Sequence, residues 1–260
     1  MNETLWKLTV GNNPLVAAAI HNGHDIREET RELLALDESS RLREEDPFTG
    51  EWTVVAETQF VAFRSRFEVD LNRPREKAVY IHPEDAWGLK LWKSEPSNEF
   101  VQRSLKVYDT FYEEMKNLFS DLVSRFDRFI VFDLHTYNHR RNGPGGPASD
   151  PEKNPEVNIG TGTMDRNFWS PIVDRFIADL RNFDFLGRNL DVRENVRFRG
   201  GNFPRWVHEN FPKNGCALAI EFKKFFMDEW TGIADNLQLK AIGNALKSTV
   251  PGIFEELENF

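Results

Sequence analysis

Three stretches of the chain run apolar and β-prone and then stop on an ionisable residue. Residues 14–20 end at His21, residues 128–134 end at His135, and residues 216–220 lead straight into Glu221. Short continuous apolar runs of this kind mark strands buried on both faces, since a strand with one wet face alternates instead. A further segment, 60–71, partly alternates and reads as another strand, closed by the turn signal Asn72-Arg73-Pro74.

Helical periodicity fills the space between these runs. Residues 27–37 read as a short helix with Leu33, Leu34 and Leu36. Residues 97–126 form a long amphipathic helix whose apolar positions include Phe100, Leu105, Tyr108, Phe111, Met115, Phe119 and Leu122. This helix leads directly into the His135 strand. Residues 138–163 are polar and rich in Gly and Pro, and a loop of that length inside a compact domain is more often functional than idle. A helix over 165–183 follows, in which Pro171 is tolerable only near the first turn or at a kink. Arg199-Gly-Gly201 opens another loop, 203–210 is a short helix, and 235–246 and 251–257 close the chain as two helices. Strands alternating with helices predict an α/β fold with a mainly parallel sheet. Chemistry in such sheets collects at the carboxyl edge of the strands.

Length and composition narrow the picture. With 260 residues, 40% of them apolar, and 22 Phe and 7 Trp, one well-packed domain over 1–260 is expected. No window approaches the roughly 20 apolar residues of a membrane span. The segment beginning Met1-Asn-Glu lacks the basic-then-apolar pattern of a signal peptide. The lone Cys216 sits within an apolar strand, cannot form an internal disulfide, and reads as core packing in a cytoplasmic protein. A net charge of −9 argues against a nucleic-acid partner, and no membrane partner is expected either. His139-Arg140-Arg141, with Arg73 and Arg75, leaves room for a locally basic site.

The candidate chemistry lies where the strands stop. His21 stands in Ile20-His-Asn-Gly-His24, whose Asn-Gly favours a tight turn and whose His24 is a competing candidate. His135 stands in Phe132-Asp-Leu-His-Thr-Tyr137, and Asp133, two positions earlier, shares its sheet face. Asp133 is therefore placed to accept the second N–H of a metal-binding imidazole. A catalytic zinc takes three protein ligands and leaves one position open. Arg43-Glu-Glu-Asp-Pro47 offers Glu44, Glu45 and Asp46 for the third, although an acidic run equally reads as a solvated loop. Glu221 is costly to bury unless partnered. It suits a general base of raised pKa, or else a salt bridge to Lys223, Lys224 or an arginine. Two imidazoles and a carboxylate at strand ends suggest a metal-assisted hydrolase.

Six segments then carry a resemblance: His21-Asn-Gly, Arg43-Glu-Glu-Asp-Pro47, Val69-Asp-Leu-Asn-Arg-Pro74, Asp133-Leu-His-Thr-Tyr137, Arg199-Gly-Gly201 and the stretch 220–229. In their order and their positions at strand ends, they resemble the N-formylglutamate amidohydrolase family, which belongs with the zinc carboxypeptidase and aspartoacylase-like hydrolases. The resemblance implies a three-layer α/β/α sandwich around a mixed, mostly parallel sheet. It implies one divalent metal ion, zinc, held by His21, His135 and a carboxylate of the acidic turn. Asp46 is preferred to Glu45 because it aligns with the more regular acidic position of that turn. Pro47 also restricts its backbone, and the shorter side chain loses less rotamer freedom on binding. Glu221 corresponds to the water-activating glutamate of these hydrolases. Arg73 looks like a residue that grips an acidic substrate, Arg141 adds to it, and Gly200 and Gly201 allow close backbone approach.

The implied substrate is a small N-acyl amino acid such as N-formylglutamate. Two departures bear on the substrate rather than on the hydrolase class. His24 stands where the carboxypeptidase pattern His-x-x-Glu has its glutamate, and the stretch 137–144 is elaborated. The rivals are a metallopeptidase or deacylase of a larger amide on the same scaffold, and a non-catalytic metal-binding module. Glu221 argues against the last, since a pure binder needs no water-activating carboxylate.

Overall fold

In the computed structural model, which describes residues 4–260, the three apolar runs become neighbouring strands in the middle of one sheet. The first three residues of the amino-terminal segment read above lie outside the described residues. The strands are β1 (Trp6–Thr9), β2 (Leu15–Ala19), β3 (Thr58–Ala62), β4 (Phe129–Tyr137), β5 (Val157–Gly160), β6 (Val192–Glu194) and β7 (Gly215–Lys223). They form a seven-stranded sheet in the order β1-β3-β2-β4-β7-β5-β6. From β3 to β7 the pairing is parallel, while β1 and the β5–β6 pair run antiparallel to that block. The sheet is mixed and mostly parallel at its centre, as the resemblance implied.

The helices are α1 (Glu28–Leu33), α2 (Glu38–Glu44), α3 (Thr49–Trp52), α4 (Asn98–Phe126), α5 (Ser170–Asn182), α6 (Asn202–Asn210) and α7 (Asn236–Glu258). Alternation along the central strands sends Phe132 and Leu134 of β4 toward α5 and α7, where they meet Phe176, Ile242 and Leu246. Phe129 and Val131 go to the opposite face, against Phe111, Met115 and Phe119 of α4 and Phe203 of α6. Both faces are thus covered, giving three layers. Helix α4 starts where Ser97 accepts the Phe100 N–H at 3.2 Å, and it buries the stripe that its periodicity marked.

Four elements depart from the sequence reading. Strand β3 stops at Ala62, and residues 63–71 fold back in turns. Their alternation is not a wet face, because Phe67, Glu68, Val69, Asp70 and Leu71 are all buried, the carboxylates as deeply as the apolar side chains. The long 138–163 segment contains β5, a strand too short, and too interrupted by Asn158 and Gly160, to show a pattern. The helix expected from residue 165 begins at Ser170, with Pro171 in its first turn, where no N–H is needed. The last two expected helices are one, α7, which continues through Pro251. Packing overrides the proline there: a Cβ on Gly252 would meet Asp179 of α5 at 2.2 Å, so α5 and α7 are pressed together at that point.

Helix α6 is tied down by a buried histidine. His208 Nε2 accepts the Ala217 N–H of β7 at 3.0 Å, which leaves Nδ1–H for the Thr163 hydroxyl at 2.9 Å. Burial pushes its pKa down to about 4. The unfolded imidazole takes up a proton near pH 6.5 and the folded one resists until about pH 4. The unfolded state therefore binds more protons between those values, and stability falls as pH drops through the window, by about 3 kcal/mol in all. Urea unfolding of wild type and His208→Gln from pH 7 to pH 4.5 should show a visibly shallower pH dependence in the variant.

Candidate active site

The carboxyl ends of β2, β4 and β7 meet at one edge of the sheet. His21 follows the end of β2, and His135 stands opposite Glu221 in the β4–β7 register. The acidic turn after α2 folds over this edge, because the Asp46 N–H donates to the His21 carbonyl at 3.0 Å. Its carboxylate then reaches both imidazoles. Asp46 Oδ2 lies 3.0 Å from His135 Nδ1 and 3.4 Å from His21 Nδ1, while Oδ1 accepts from the Thr136 hydroxyl at 3.1 Å. One donor atom from each of His21, Asp46 and His135 falls within 4.8 Å of the others.

The far sides of the two rings are held by carboxylates. His21 Nε2 lies 2.7 Å from Asp70 Oδ1, and His135 Nε2 lies 2.9 Å from Asp133 Oδ1. A carboxylate facing Nε2 favours the tautomer with the proton there, which turns the Nδ1 lone pair toward the centre. His21 Nδ1 is buried with no hydrogen bond. Two inward imidazole nitrogens and a carboxylate oxygen are the donor set of a catalytic divalent metal, so these residues fit such an ion.

Electrostatics around the trio favour positive charge. Asp70, Asp133 and Glu221 crowd it, with Arg66 and Lys224 as counter-charges. Burial would raise Asp70, but Arg66, at 2.8 Å, and His21 hold it well below the usual carboxylate range. Burial opposes ionisation of Asp46 too, yet its contacts to His135 and His21 keep its pKa low. Burial works against a charged His135, and Asp133 overcomes it, so that imidazole is driven well above its ordinary value.

Glu221 behaves oppositely. Burial pushes it up to about 7, with Asp46 and Asp133 adding and His135 opposing. The alternative salt bridge to its neighbouring lysines does not form. Lys223 Nζ donates to the Asn154 carbonyl at 3.0 Å, and Lys224 Nζ to the carbonyls of Arg43 and Glu45 at 2.6 and 2.8 Å. Among the described residues nothing hydrogen-bonds the Glu221 carboxylate.

A cleft of about 720 Å³ opens above this centre. His21, Asp46, Arg73, His135, Arg141, Gly200, Gly201 and Glu221, all expected from the sequence, line it. Glu45 and His24 do not. The buried Glu45 carboxylate is taken up by His24, Ser65 and Arg41, away from the imidazoles. Nor is the acidic turn a solvated loop, since Glu44, Glu45 and Asp46 are all buried. Arg75 lies outside the cleft, in a forked pair with Asp109 at 2.7 and 2.9 Å. Gly200 has a φ of 104°, and a Cβ on Gly201 would strike the Asn72 amide at 2.3 Å. That closeness lets Asn72 Oδ1 take the Phe203 N–H at 2.8 Å while its Nδ2 lies 3.3 Å from His135 Nε2.

Sequence reasoning missed Arg66, Asp70 and Arg197 as site residues. Asp70 and Asn72 stood inside a quoted motif, and Arg66 and Asp70 have the i,i+4 spacing of an ion pair, a signal hidden by reading 60–71 as a strand.

The family described as N-formylglutamate amidohydrolase matches residues 13–227. An N-formylglutamate amidohydrolase from Ralstonia eutropha has the same fold, with a TM-score of 0.74 at 15% identity over 98% of each chain. A gene product of Agrobacterium tumefaciens gives 0.70 at 14% identity over 98% of this chain and 97% of its own. At such identities the likeness to these structures is one of fold. No curated protein matches the sequence.

The buried Asp70 yields a stability prediction. It serves Arg66, His21, the Tyr80 hydroxyl and the Asn72 N–H together. Removing one partner of a buried charge network leaves the other uncompensated, at a cost of about 3–5 kcal/mol. Asp70→Ala should lower the urea unfolding free energy by that order, and a loss under about 1 kcal/mol would contradict the network described.

Proposed function

The chain belongs to the N-formylglutamate amidohydrolase family, and from that premise we propose that it is a metal-dependent amidohydrolase acting on an N-acyl amino acid such as N-formylglutamate. The observation that carries this reading is the convergence of His21, Asp46 and His135 within 4.8 Å, beside a Glu221 free of hydrogen bonds. His21, Asp46 and His135 would hold one divalent ion, zinc by its donor set. When bound, such an ion supplies Lewis acidity that polarises the amide carbonyl and acidifies water.

Glu221 supplies the proton chemistry. Its carboxylate takes a proton from the attacking water as the oxygen adds to the acyl carbon. It then returns that proton to the amide nitrogen as the C–N bond breaks, releasing a free amine and a carboxylic acid. A pKa near 7 suits a group that must both accept and donate. Arg73 and Arg141 at the rim would hold a substrate carboxylate by charge-assisted hydrogen bonds. Arg73 makes long contacts, 3.8 Å to Asp70 and 3.4 Å to the Asp85 carbonyl, and Arg141 only 3.5 Å contacts to Glu44, so both can exchange partners. The size of the cleft, in the range that takes drug-sized ligands, favours one second reading, a deacylase of a larger amide by the same chemistry.

Formate release from N-formyl-L-glutamate, set against N-acetyl and longer N-acyl analogues, tests the reaction; no turnover of any of them would remove the proposal. Glu221→Gln should cut kcat by ~100-fold or more with bound metal retained. Elemental analysis of protein purified without chelator should give close to one equivalent of metal. Asp46→Ala should lose it, whereas Glu45→Ala should keep it while unfolding more easily, because Arg41 and Ser65 lose their buried partner. Metal loss only from Glu45→Ala would reassign the third ligand.

A further inference from the structure

The cations around the cleft divide into those already engaged and those that are not. Arg66 is bound to Asp70, and Lys224 to two carbonyls. Arg73 and Arg141 keep loose carboxylate contacts. Arg197, Arg199 and Arg205 differ: they line the cleft, and none of their guanidinium groups has a hydrogen bond or a carboxylate partner among the described residues. Of the three, only Arg197 is held against aromatic rings. In a chain of net charge −9, a cation left without a carboxylate beside the site is not a surplus of basic surface.

Its placement is built. Asn158, fully buried on β5, stands opposite Glu221 in the β5–β7 pairing. Its amide serves the 197–198 backbone alone, accepting from the Arg197 N–H at 2.8 Å and the Phe198 N–H at 3.3 Å, and donating to the Phe198 carbonyl at 2.8 Å. The guanidinium carbon then lies 5.3 Å from the ring centres of both Tyr137 and Phe198. Tyr137 is two residues past His135 on the same face of β4, roughly 7 Å further along the strand. Aromatic contact restrains the guanidinium while leaving its N–H edge able to grip a carboxylate with two hydrogen bonds.

We propose that Arg197 is the residue that selects an acidic side chain on the substrate, receiving a carboxylate distal to the scissile amide. The inference rests on the amidohydrolase reading and adds a specificity determinant to it. Arg73 and Arg141 are left for the carboxylate next to the amide, and Arg197 reads the one beyond.

The test compares N-formyl-L-glutamate with N-formyl-L-glutamine, nearly its isostere without the distal charge, in wild type, Arg197→Gln, Arg197→Lys and the surface control Arg75→Gln. Wild type should prefer the acidic substrate in kcat/KM by about 10-fold or more, the worth of a charged hydrogen-bonded pair. Arg197→Gln should bring that ratio close to one through a raised KM for N-formylglutamate. Arg197→Lys should keep part of the preference, and Arg75→Gln all of it. An Arg197→Gln enzyme that discriminates as wild type does, or a wild type with no preference, overturns the proposal. Should wild type hydrolyse neither, the amidohydrolase reading falls, and titration calorimetry with glutarate decides the role of Arg197 separately. A Kd raised about 10-fold in Arg197→Gln supports it; equal affinity, or no binding to wild type, overturns it.

Discussion

Asp70 is completely buried between His21 and Arg66, 2.7 Å from the imidazole and 2.8 Å from the guanidinium, with the Tyr80 hydroxyl and the Asn72 N–H completing its shell. A carboxylate in that position is tolerable only if it stays paired, and its pairing sets much of what surrounds it. It directs His21 Nδ1 toward Asp46. It draws Arg66 inward and away from solvent. It also fixes the turn that carries Asn72 to His135 and to the start of α6. The candidate metal centre, the back of the cleft and the docking of a helix therefore hang on one buried anion.

Sheet order turns this local network into a site. β2, β4 and β7 are far apart in sequence but adjacent and parallel, so their carboxyl ends fall on the same edge. The antiparallel β5 then returns along β7 and sets Asn158 beside Glu221. Glycines let the next layer close in: a Cβ on Gly160 would meet the Gly200 nitrogen at 2.6 Å, and one on Gly162 the Arg199 Cβ at 2.8 Å. The two Gly-containing loops that look independent along the chain are one interlocked wall, which presents Arg197 and Arg199 to the cleft.

An acidic protein with a basic cleft rim raises the question of which charges are available to a substrate. Burial and pairing answer it. Glu44 and Glu229 engage Arg43, and Glu229 also receives the N–H groups of His139 and Arg140, which fixes the start of the Gly-rich 138–150 segment over the acidic turn. Arg43 thus serves structure. The same inventory leaves Arg197, Arg199 and Arg205 lining the cleft with no anion, and of these only Arg197 has aromatic neighbours to restrain it.

Much of the arrangement was legible in the chain itself. His21, His135 and Glu221 could be located because strands buried on both faces are largely apolar, so ionisable residues gather toward the edge; Asp133, inside the β4 run, is paired with His135. The α4 stripe was readable because a 3.6-residue period over 29 residues has no other explanation. Alignment with the acidic turn of the resembled family, the proline after Asp46 and the smaller rotamer loss of a short side chain favoured it over Glu45, and in the fold Asp46 meets the imidazoles while Glu45 turns to Arg41, Ser65 and His24. Tertiary structure alone decided the rest. Residues 63–71 alternate as a half-wet strand would, yet their acids face inward, because partners for Asp70 come from β2 and from Arg66 in the same turn. The four residues of β5 carry no period, and their pairing with β7 is what gives Asn158 and Arg197 their places. Pro251 lies within α7 because contact with α5 outweighs its local preference. A sequence pattern records whether a position is buried; which buried charge meets which depends on how distant strands are brought side by side, and no local period encodes that.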